Sequence, residues 1–254
     1  MNSIESFARQ LDAAVQHGQP MAHISDAGDL SLDDAYAIQQ AWMSLRELRG
    51  DQRVGYKLGF TNGARIKQLG LSGPAVGVLT QSMLLDNNCT VSLAGLNRPR
   101  IEPELAFLIG SPLEGKVTPL QALRAIEAVA PAIEIVDTRY REDRFSLHDV
   151  IADNCSSVAA VIGAWREMPA DLSNLGVTLE FNGRVVQIGS SAAVMGHPGY
   201  ALVAAVNMLA TYDGYIEAGS IIMTGAATTP QALHPGVHAR VVVEQLGHVS
   251  ARFE

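Results

Sequence analysis

Cysteine is nearly missing: Cys89 and Cys155 are the only two in 254 residues. That excludes a disulfide scaffold and suits a reducing cytoplasm, the expected location. Basic side chains are in deficit, 18 against 26 acidic, so the formal net charge is −8 and the pI near 5.3. Such a balance argues against nucleic acid or an anionic membrane surface as the main partner. No run approaches the roughly 18 consecutive apolar residues of a membrane span. The opening MNSIESFARQLDAAV carries Glu5 and helical spacing, unlike a signal peptide. Aromatic residues make up only 6%, whereas 23 Gly and 11 Pro promise many turns. Internal repeats and low-complexity tracts are lacking, as are GxGxxG, Walker A, GxSxG, HExxH and CxxC signatures.

What is present is an ordinary globular texture, 48% hydrophobic and long enough for one large domain or a small one beside a large one. Residues 1 to 50 read as helical. Ile4, Phe7, Leu11 and Val15 recur at spacings of three and four. Ser31 then caps a second helix, with Asp33 and Asp34 in its first turn and a stripe through Ala35, Ile38, Ala41, Trp42, Leu45 and Leu48. Gly50 stops it. Beyond that point, short apolar runs at 54–60, 100–110, 131–137, 177–189, 220–225 and 239–247 predict strands. Asn182-Gly183 marks a two-residue hairpin. Helices are predicted over 119–129 and 198–213, each opening on a proline. Strictly alternating βαβ units are absent, so the reading is α+β.

Four charged residues stand out against this background. In RIEPELAFLIG, Glu102 and Glu104 lie two apart on a strand and so share a face, which Ala106 and Leu108 continue. Pro103 between them implies an edge or a bulge. Glu134 sits in AVAPAIEIV, the most apolar setting of any acid in the chain. A lone buried carboxylate is costly and must take a proton or find a partner. If the three glutamates converge, a divalent cation resolves the repulsion, and hard oxygen ligands suit Mg²⁺ or Mn²⁺. The plainer alternatives stay open at this point: solvated glutamates at a strand start, and one paired core acid. Lys57, between Gly55 and Gly59 and opposite the large side chains of its strand, is either solvent-facing or an ammonium aimed into a cleft. Weaker candidates are the polar turn Asp153-Asn154-Cys155-Ser156-Ser157 and the strand end Met223-Thr224-Gly225-Ala226, either of which offers groups to a carboxylate. His197 reads as a helix cap, and Cys155 lacks a histidine to activate it.

The succession VGYKLGFTN, RIEPELAFLIG, PAIEIVDTRY, VIADNCSS, MGHP, AGSIIMTG and LGHVSARFE resembles the hydratase/decarboxylase branch of the fumarylacetoacetate hydrolase superfamily over nearly the whole chain. The resemblance implies a mixed β-sandwich roll with a smaller helical N-terminal region, divided as 1–75 and 76–254. It also places metal-binding carboxylates at Glu102, Glu104 and Glu134 and a catalytic lysine at Lys57; the polar turn and the strand end put the expected substrate contacts at Ser156, Thr224 and Gly225. Two chemistries occur in the branch. Hydratases add water to 2-hydroxypenta-2,4-dienoate, and decarboxylases make that dienol from 2-oxo-3-hexenedioate (4-oxalocrotonate) in meta-cleavage degradation of aromatics. The hydratases carry Pro-Asp-Phe-Gly after the lysine strand, where this chain has Pro74-Ala75-Val76-Gly77. Asp137-Thr138-Arg139-Tyr140, Phe145-Ser146-Leu147 and the ending Val249-Ser250-Ala251-Arg252-Phe253 also look like the decarboxylases. Decarboxylation of a small 2-oxo dicarboxylate is therefore the expected activity, with hydration of 2-hydroxypenta-2,4-dienoate as the alternative, by a homo-oligomer for which the resemblance implies a complex with the cognate hydratase. An acylpyruvate hydrolase would need a His–Glu dyad that is not found after Lys57, and the four charged residues speak against a non-catalytic binding subunit.

Overall fold

The computed structural model describes residues 3–212 and 214–254. Helices α1 (Ser3–His17) and α2 (Leu32–Leu48) pack together at the N-terminal side. Ser31 caps α2 reciprocally: its hydroxyl accepts from the Asp34 N–H at 3.1 Å, and its own N–H donates to the Asp34 carboxylate at 3.2 Å. The α2 stripe buries Ala35, Ile38 and Trp42 as its spacing predicts, with Ala41 and Leu45 half-buried, but Leu48 at the helix end is exposed. In α1 the buried line is Ala8, Leu11 and Ala14, while Val15 is 45% exposed. Leu11 is fully buried and Ile4 and Phe7 are half-buried against the core, so of the predicted stripe only Val15 falls off the face.

The strands are β1 (Arg53–Gly59), β2 (Ala75–Thr80), β3 (Leu84–Asp86), β4 (Cys89–Val91), β5 (Arg100–Ile109), β6 (Ile126–Val136) and β7 (Ser157–Ile162). After them come β8 (Gly176–Phe181), β9 (Arg184–Ser190), β10 (Ile221–Met223), β11 (Gln231–Ala232), β12 (His238–Val243) and β13 (Gly247–Phe253). One mixed sheet runs β2-β1-β10-β5-β6-β7-β3, with β11 added beside β5, and a second runs β4-β13-β12-β8-β9. β12 and β13 pack against β6, which closes the two sheets into a roll. Short helices α3 (Gly63–Gln68), α4 (Pro119–Arg124) and α5 (Leu147–Ala152) and the longer α6 (Pro198–Ala210) lie around it. The Asn182-Gly183 turn joins β8 to β9 as predicted, with Phe181 paired to Arg184.

Several expectations change. The helix predicted over 119–129 ends at Arg124, and β6 takes over at Ile126. Continuous pairing of β6 with β5 outweighs the helix propensity of the alanines there. The strand predicted over 239–247 stops at Val243, and the chain turns back into β13. α6 ends at Ala210, and the predicted end at Asp213 lies outside the described residues. β5 is an interior strand, not an edge. Pro103 lies where β10 and β11, its neighbours on one side, leave a gap, so no ladder donor is lost there. A division at residue 75 has no counterpart in the sheet, because β1 pairs with both β2 and β10. The segment Ser191–Ala210 has a mean hydropathy of 1.3, apolar enough for a membrane helix. It is nevertheless broken: Met195 and Gly196 take positive φ of 52° and 79°. Beyond the break, α6 has 13 residues, about 20 Å at 1.5 Å each, and packs on α4 and β2.

Candidate metal centre and cleft

The pairing of β5 with β6 sets Glu102 directly opposite Glu134, with Glu104 opposite Ala132. All three side chains share one face of the sheet, which continues into a small apolar patch of Leu79, Met83, Ala106, Ala132, Ala160 and Met223. Carboxylate oxygens of the three lie within 4.8 Å of one another. Glu104 and Glu134 are fully buried and Glu102 half-buried. Like charges placed opposite one another are destabilising unless something between them compensates.

One oxygen of each buried glutamate is held from behind. Ser157 at the start of β7 donates its hydroxyl to Glu134 Oε1 at 2.7 Å. The Gly225 N–H donates to Glu104 Oε2 at 2.8 Å. Gly225 adopts φ 107°, and a Cβ there would fall 2.2 Å from Thr61 Oγ1, so only glycine brings this N–H to the carboxylate. The other two oxygens, Glu104 Oε1 and Glu134 Oε2, are buried and have no hydrogen-bond partner among the described residues. Buried polar atoms are rarely left so.

Lys57 projects from β1 onto the same face and is 3% exposed, so the solvent-facing alternative is set aside. Its Nζ lies 3.1 Å from Glu134 Oε2, an ion pair without a hydrogen bond, and donates to the Cys155 carbonyl at 3.0 Å. Gly77 stands opposite Lys57 on β2. A Cβ at Gly77 would come within 3.0 Å of the lysine stem and 2.9 Å of the Asn154 carbonyl, so the missing side chain makes the lysine's channel. The Cys155 carbonyl is delivered by three consecutive left-handed residues, Asn154, Cys155 and Ser156, with φ of 51°, 51° and 61°. Such conformations cost about 1–3 kcal/mol each and persist only where the surroundings hold them. Here the Asn154 amide accepts from Val78 N–H at 2.7 Å and donates to the Val78 carbonyl at 2.9 Å. Arg139 clamps the preceding Asp153 through side chain and backbone.

Electrostatics follow from this crowding. Burial, then the charge of Glu134, pushes the Glu102 carboxyl up to about 7 against the opposing pull of Lys57. Burial together with Glu134 and Glu102 pushes Glu104 well above the carboxylate range. Burial alone would lower Lys57, but Glu134 and the other acidic groups around it outweigh that and hold the ammonium above its ordinary value. Burial pushes the Cys155 thiol up to about 12, so it is no nucleophile. Three converging carboxylates with two orphaned inward oxygens form a hard-oxygen donor set that fits a divalent cation.

The cluster lies at the base of a cleft of about 760 Å³. Lys57, Glu102 and Ser156 line it, as do Phe60, Val136 and Phe145 on its walls and Arg65 and Arg100 as further charges. Thr224 and Gly225 do not line it: the Thr224 hydroxyl donates to the Leu105 carbonyl at 3.0 Å, and Gly225 acts through Glu104. His197 caps α6, its Nδ1 accepting from the Gly199 N–H at 2.9 Å. Sequence reasoning had Ser157 only as the end of a polar turn that offers groups to a carboxylate, and did not pair it with Glu134. It also missed Arg65, because α3 has no buried residue and hence no stripe to notice.

The family described as fumarylacetoacetate (FAA) hydrolase C-terminal matches residues 64–254. A 4-oxalocrotonate decarboxylase from a Pseudomonas species is 45% identical over 97% of this chain and 96% of that protein. A 2-keto-4-pentenoate hydratase from Paraburkholderia xenovorans (strain LB400) is 34% identical over 98% of this chain and 94% of the relative. Among solved structures, 4-oxalocrotonate decarboxylase from Pseudomonas putida G7, complexed with magnesium and adipate, superposes with a TM-score of 0.95 at 33% identity. That match covers 99% of this chain and 97% of the other.

Proposed function

The chain belongs to the fumarylacetoacetate hydrolase family, and from that premise we propose that it is a metal-dependent lyase that decarboxylates 2-oxo-3-hexenedioate to 2-hydroxypenta-2,4-dienoate. The observation that carries the reading is the pair of orphaned oxygens, Glu104 Oε1 and Glu134 Oε2, gathered with Glu102 beside Lys57 at the base of the cleft. Glu102, Glu104 and Glu134 would hold Mg²⁺ or Mn²⁺. When bound, such an ion supplies Lewis-acid stabilisation of negative charge on the oxygens of a 2-oxo acid.

The chain's own groups do the rest. In the reaction the distal C–CO₂ bond breaks, its electron pair moves through the conjugated double bond to the 2-oxo oxygen, and CO₂ departs. Lys57 Nζ, fixed by the Cys155 carbonyl and paired with Glu134, presents positive charge where that oxyanion develops and carries the proton that converts it to the enol. Ser156 offers its polar groups to the carboxylate at the 2-oxo end, while Thr224 and Gly225 contribute from behind by positioning Leu105 and Glu104. The walls of Phe60, Val136 and Phe145 shield the conjugated chain from water. The 2-oxo group is itself the electron sink, so no organic cofactor is needed.

Hydratase activity is the second reading, favoured by the 34% identity to a hydratase over nearly the whole chain. Against it stands Ala75. It is 1% exposed and shares the Lys57 face two positions from Gly77, so the place where hydratases carry an acid holds only a methyl group here. Hydration needs a proton delivered to carbon and a water activated nearby, each within reach of a titratable group. Decarboxylation needs less. The test is to incubate purified protein and Mg²⁺ separately with 2-oxo-3-hexenedioate and with 2-hydroxypenta-2,4-dienoate. CO₂ release from the first, with hydration of the second at least ~100-fold slower, is expected. Rapid hydration without CO₂ release overturns the decarboxylase reading. A homo-oligomer that passes its unstable dienol to an associated hydratase completes the proposal, and co-purification tests it.

A further inference from the structure

The mouth of the cleft carries a positive group that the lysine–glutamate cluster does not use. Arg65, on the short helix α3, lies over the ring of Phe145 with its guanidinium carbon 4.8 Å from the centroid. Phe145 in turn meets Phe60 edge-on, at 5.9 Å between centroids and an interplanar angle of 88°. At 50% exposure Phe145 is an uncommonly open phenylalanine, and the arginine covers one of its faces. One Arg65 N–H donates to Gln68 Oε1 at 2.7 Å, and no carboxylate lies within ion-pair distance among the described residues. Arg100, the other guanidinium of the cleft, is two residues from Glu102 on β5 and so belongs to the face of the carboxylate cluster. Arg65 is the charge held away from that cluster on a separate element.

A guanidinium stacked on an aromatic ring keeps its in-plane N–H groups free, and their fork matches the two oxygens of a carboxylate. We propose that Arg65, held over the ring of Phe145, is a specificity-determining residue that receives the second carboxylate of a dicarboxylic 2-oxo acid whose 2-oxo end lies at the Glu102–Glu104–Glu134 cluster. The assignment rests on the lyase reading above, since it takes that cluster as the place of the 2-oxo end. It also explains the arginine's half-exposed position. During decarboxylation negative charge leaves the distal carboxylate, so a cation that gripped it in a dry pocket would stabilise the ground state and slow the step. A solvated, stacked guanidinium selects the substrate while opposing its reaction little.

Binding measured by calorimetry with Mg²⁺ present separates this inference from the function itself. The probes are 2-oxohexanedioate and 2-oxohexanoate, equal in length and differing only in the second carboxylate. Wild-type protein is expected to prefer the diacid by about tenfold, the worth of a charge-assisted hydrogen bond. Arg65→Met should erase that preference by weakening the diacid alone, Arg65→Lys should keep part of it, and Phe145→Leu should lower it with Arg65 still present. In turnover of the unsaturated diacid, Arg65→Met should raise KM about tenfold and leave kcat unchanged or higher. A wild type without preference, a diacid affinity untouched by Arg65→Met, or equal weakening of both probes would each overturn the proposal. A wild type that prefers the diacid yet releases no CO₂ would sink the decarboxylase reading and leave the role of Arg65 standing.

Discussion

Arg139 with Asp153, and Lys57 with its three glutamates, are two largely buried groups of charge that differ in how far they are satisfied. Arg139 pairs with Asp153 and also donates to the carbonyls of Asp137 and Ser157 at 2.8 and 3.1 Å, and the Asp153 carboxylate takes the Arg139 backbone N–H at 3.2 Å as well. Every polar atom there has a use, and the pair pins the left-handed turn at Asn154–Ser156. In the second group two carboxylate oxygens have no hydrogen-bond partner among the described residues, one of them facing only the Lys57 ammonium, and four acidic or basic groups crowd one face of a sheet. Burying charge costs several kcal/mol per ion in either place. In the first the return is a rigid loop, whereas in the second the return would come from the proposed cation. Completeness of partnering, rather than burial, separates a structural charge cluster from a chemical one.

The contrast can be broken most forcefully at Lys57. Lys57→Met keeps the stem and deletes the ammonium, so turnover should fall by about 10²–10⁴-fold. The metal-loaded variant should still melt cooperatively, because the cation remains to offset the glutamates. A variant as active as wild type would make Lys57 a structural residue after all. Next comes Arg139→Met, which leaves the Asp153 carboxylate buried without its counter-charge. A loss of about 3–5 kcal/mol in denaturant unfolding is expected, and added Mg²⁺ should not recover it. If saturating metal restored full stability, the two groups would not be the separate kinds described. Ser157→Ala acts more gently: it frees Glu134 Oε1 and should weaken metal binding about 10–100-fold with the fold intact. Metal titration followed by calorimetry reads that change directly.

The smallest effect is the pH dependence of the metal-free protein. Glu102 is pushed up to about 7 from an ordinary 4.5, so the native state binds this proton more tightly than the unfolded chain does. Its contribution therefore lowers stability as pH climbs from the unfolded value through the folded one. Melting temperature without metal should fall between pH 5 and 7, and Glu104, also raised well above its ordinary value, adds to the decline. A saturating divalent cation should reverse the slope, since binding requires the carboxylates ionised and affinity rises over the same interval. Glu102→Gln should flatten the metal-free curve. An unchanged slope in that variant would assign the proton elsewhere.

Much of the cluster is legible in one dimension. Glu102 and Glu104 share a face by alternation alone, and the apolar run around Glu134 announces a buried acid. Their convergence is not legible, because Glu102 meets Glu134 only through a pairing 32 positions apart that no local pattern specifies. Alanine-rich spacing misled the boundary of α4 for the same reason: the competing partner, β5, lies elsewhere in the chain. The strands at 54–60 and 100–110 and the hairpin at Asn182 could be read because each carries its own local signal. Arg65 could not, since nothing in α3 distinguishes a guanidinium over a distant phenylalanine from a solvated one.

The face-to-face placement of Glu102 and Glu134 ties catalysis to assembly. A slip of β6 by a single residue along β5 would swing Glu134 to the far side of the sheet and bring Ile133 or Ile135 into the carboxylate cluster. The same slip would drive a charge into the main core. A mispaired molecule would thus lose the proposed cation site and its packing in one event. The cation-loaded fraction of a preparation accordingly counts its correctly threaded molecules, and metal added during refolding should raise the yield of active protein by trapping that one alignment.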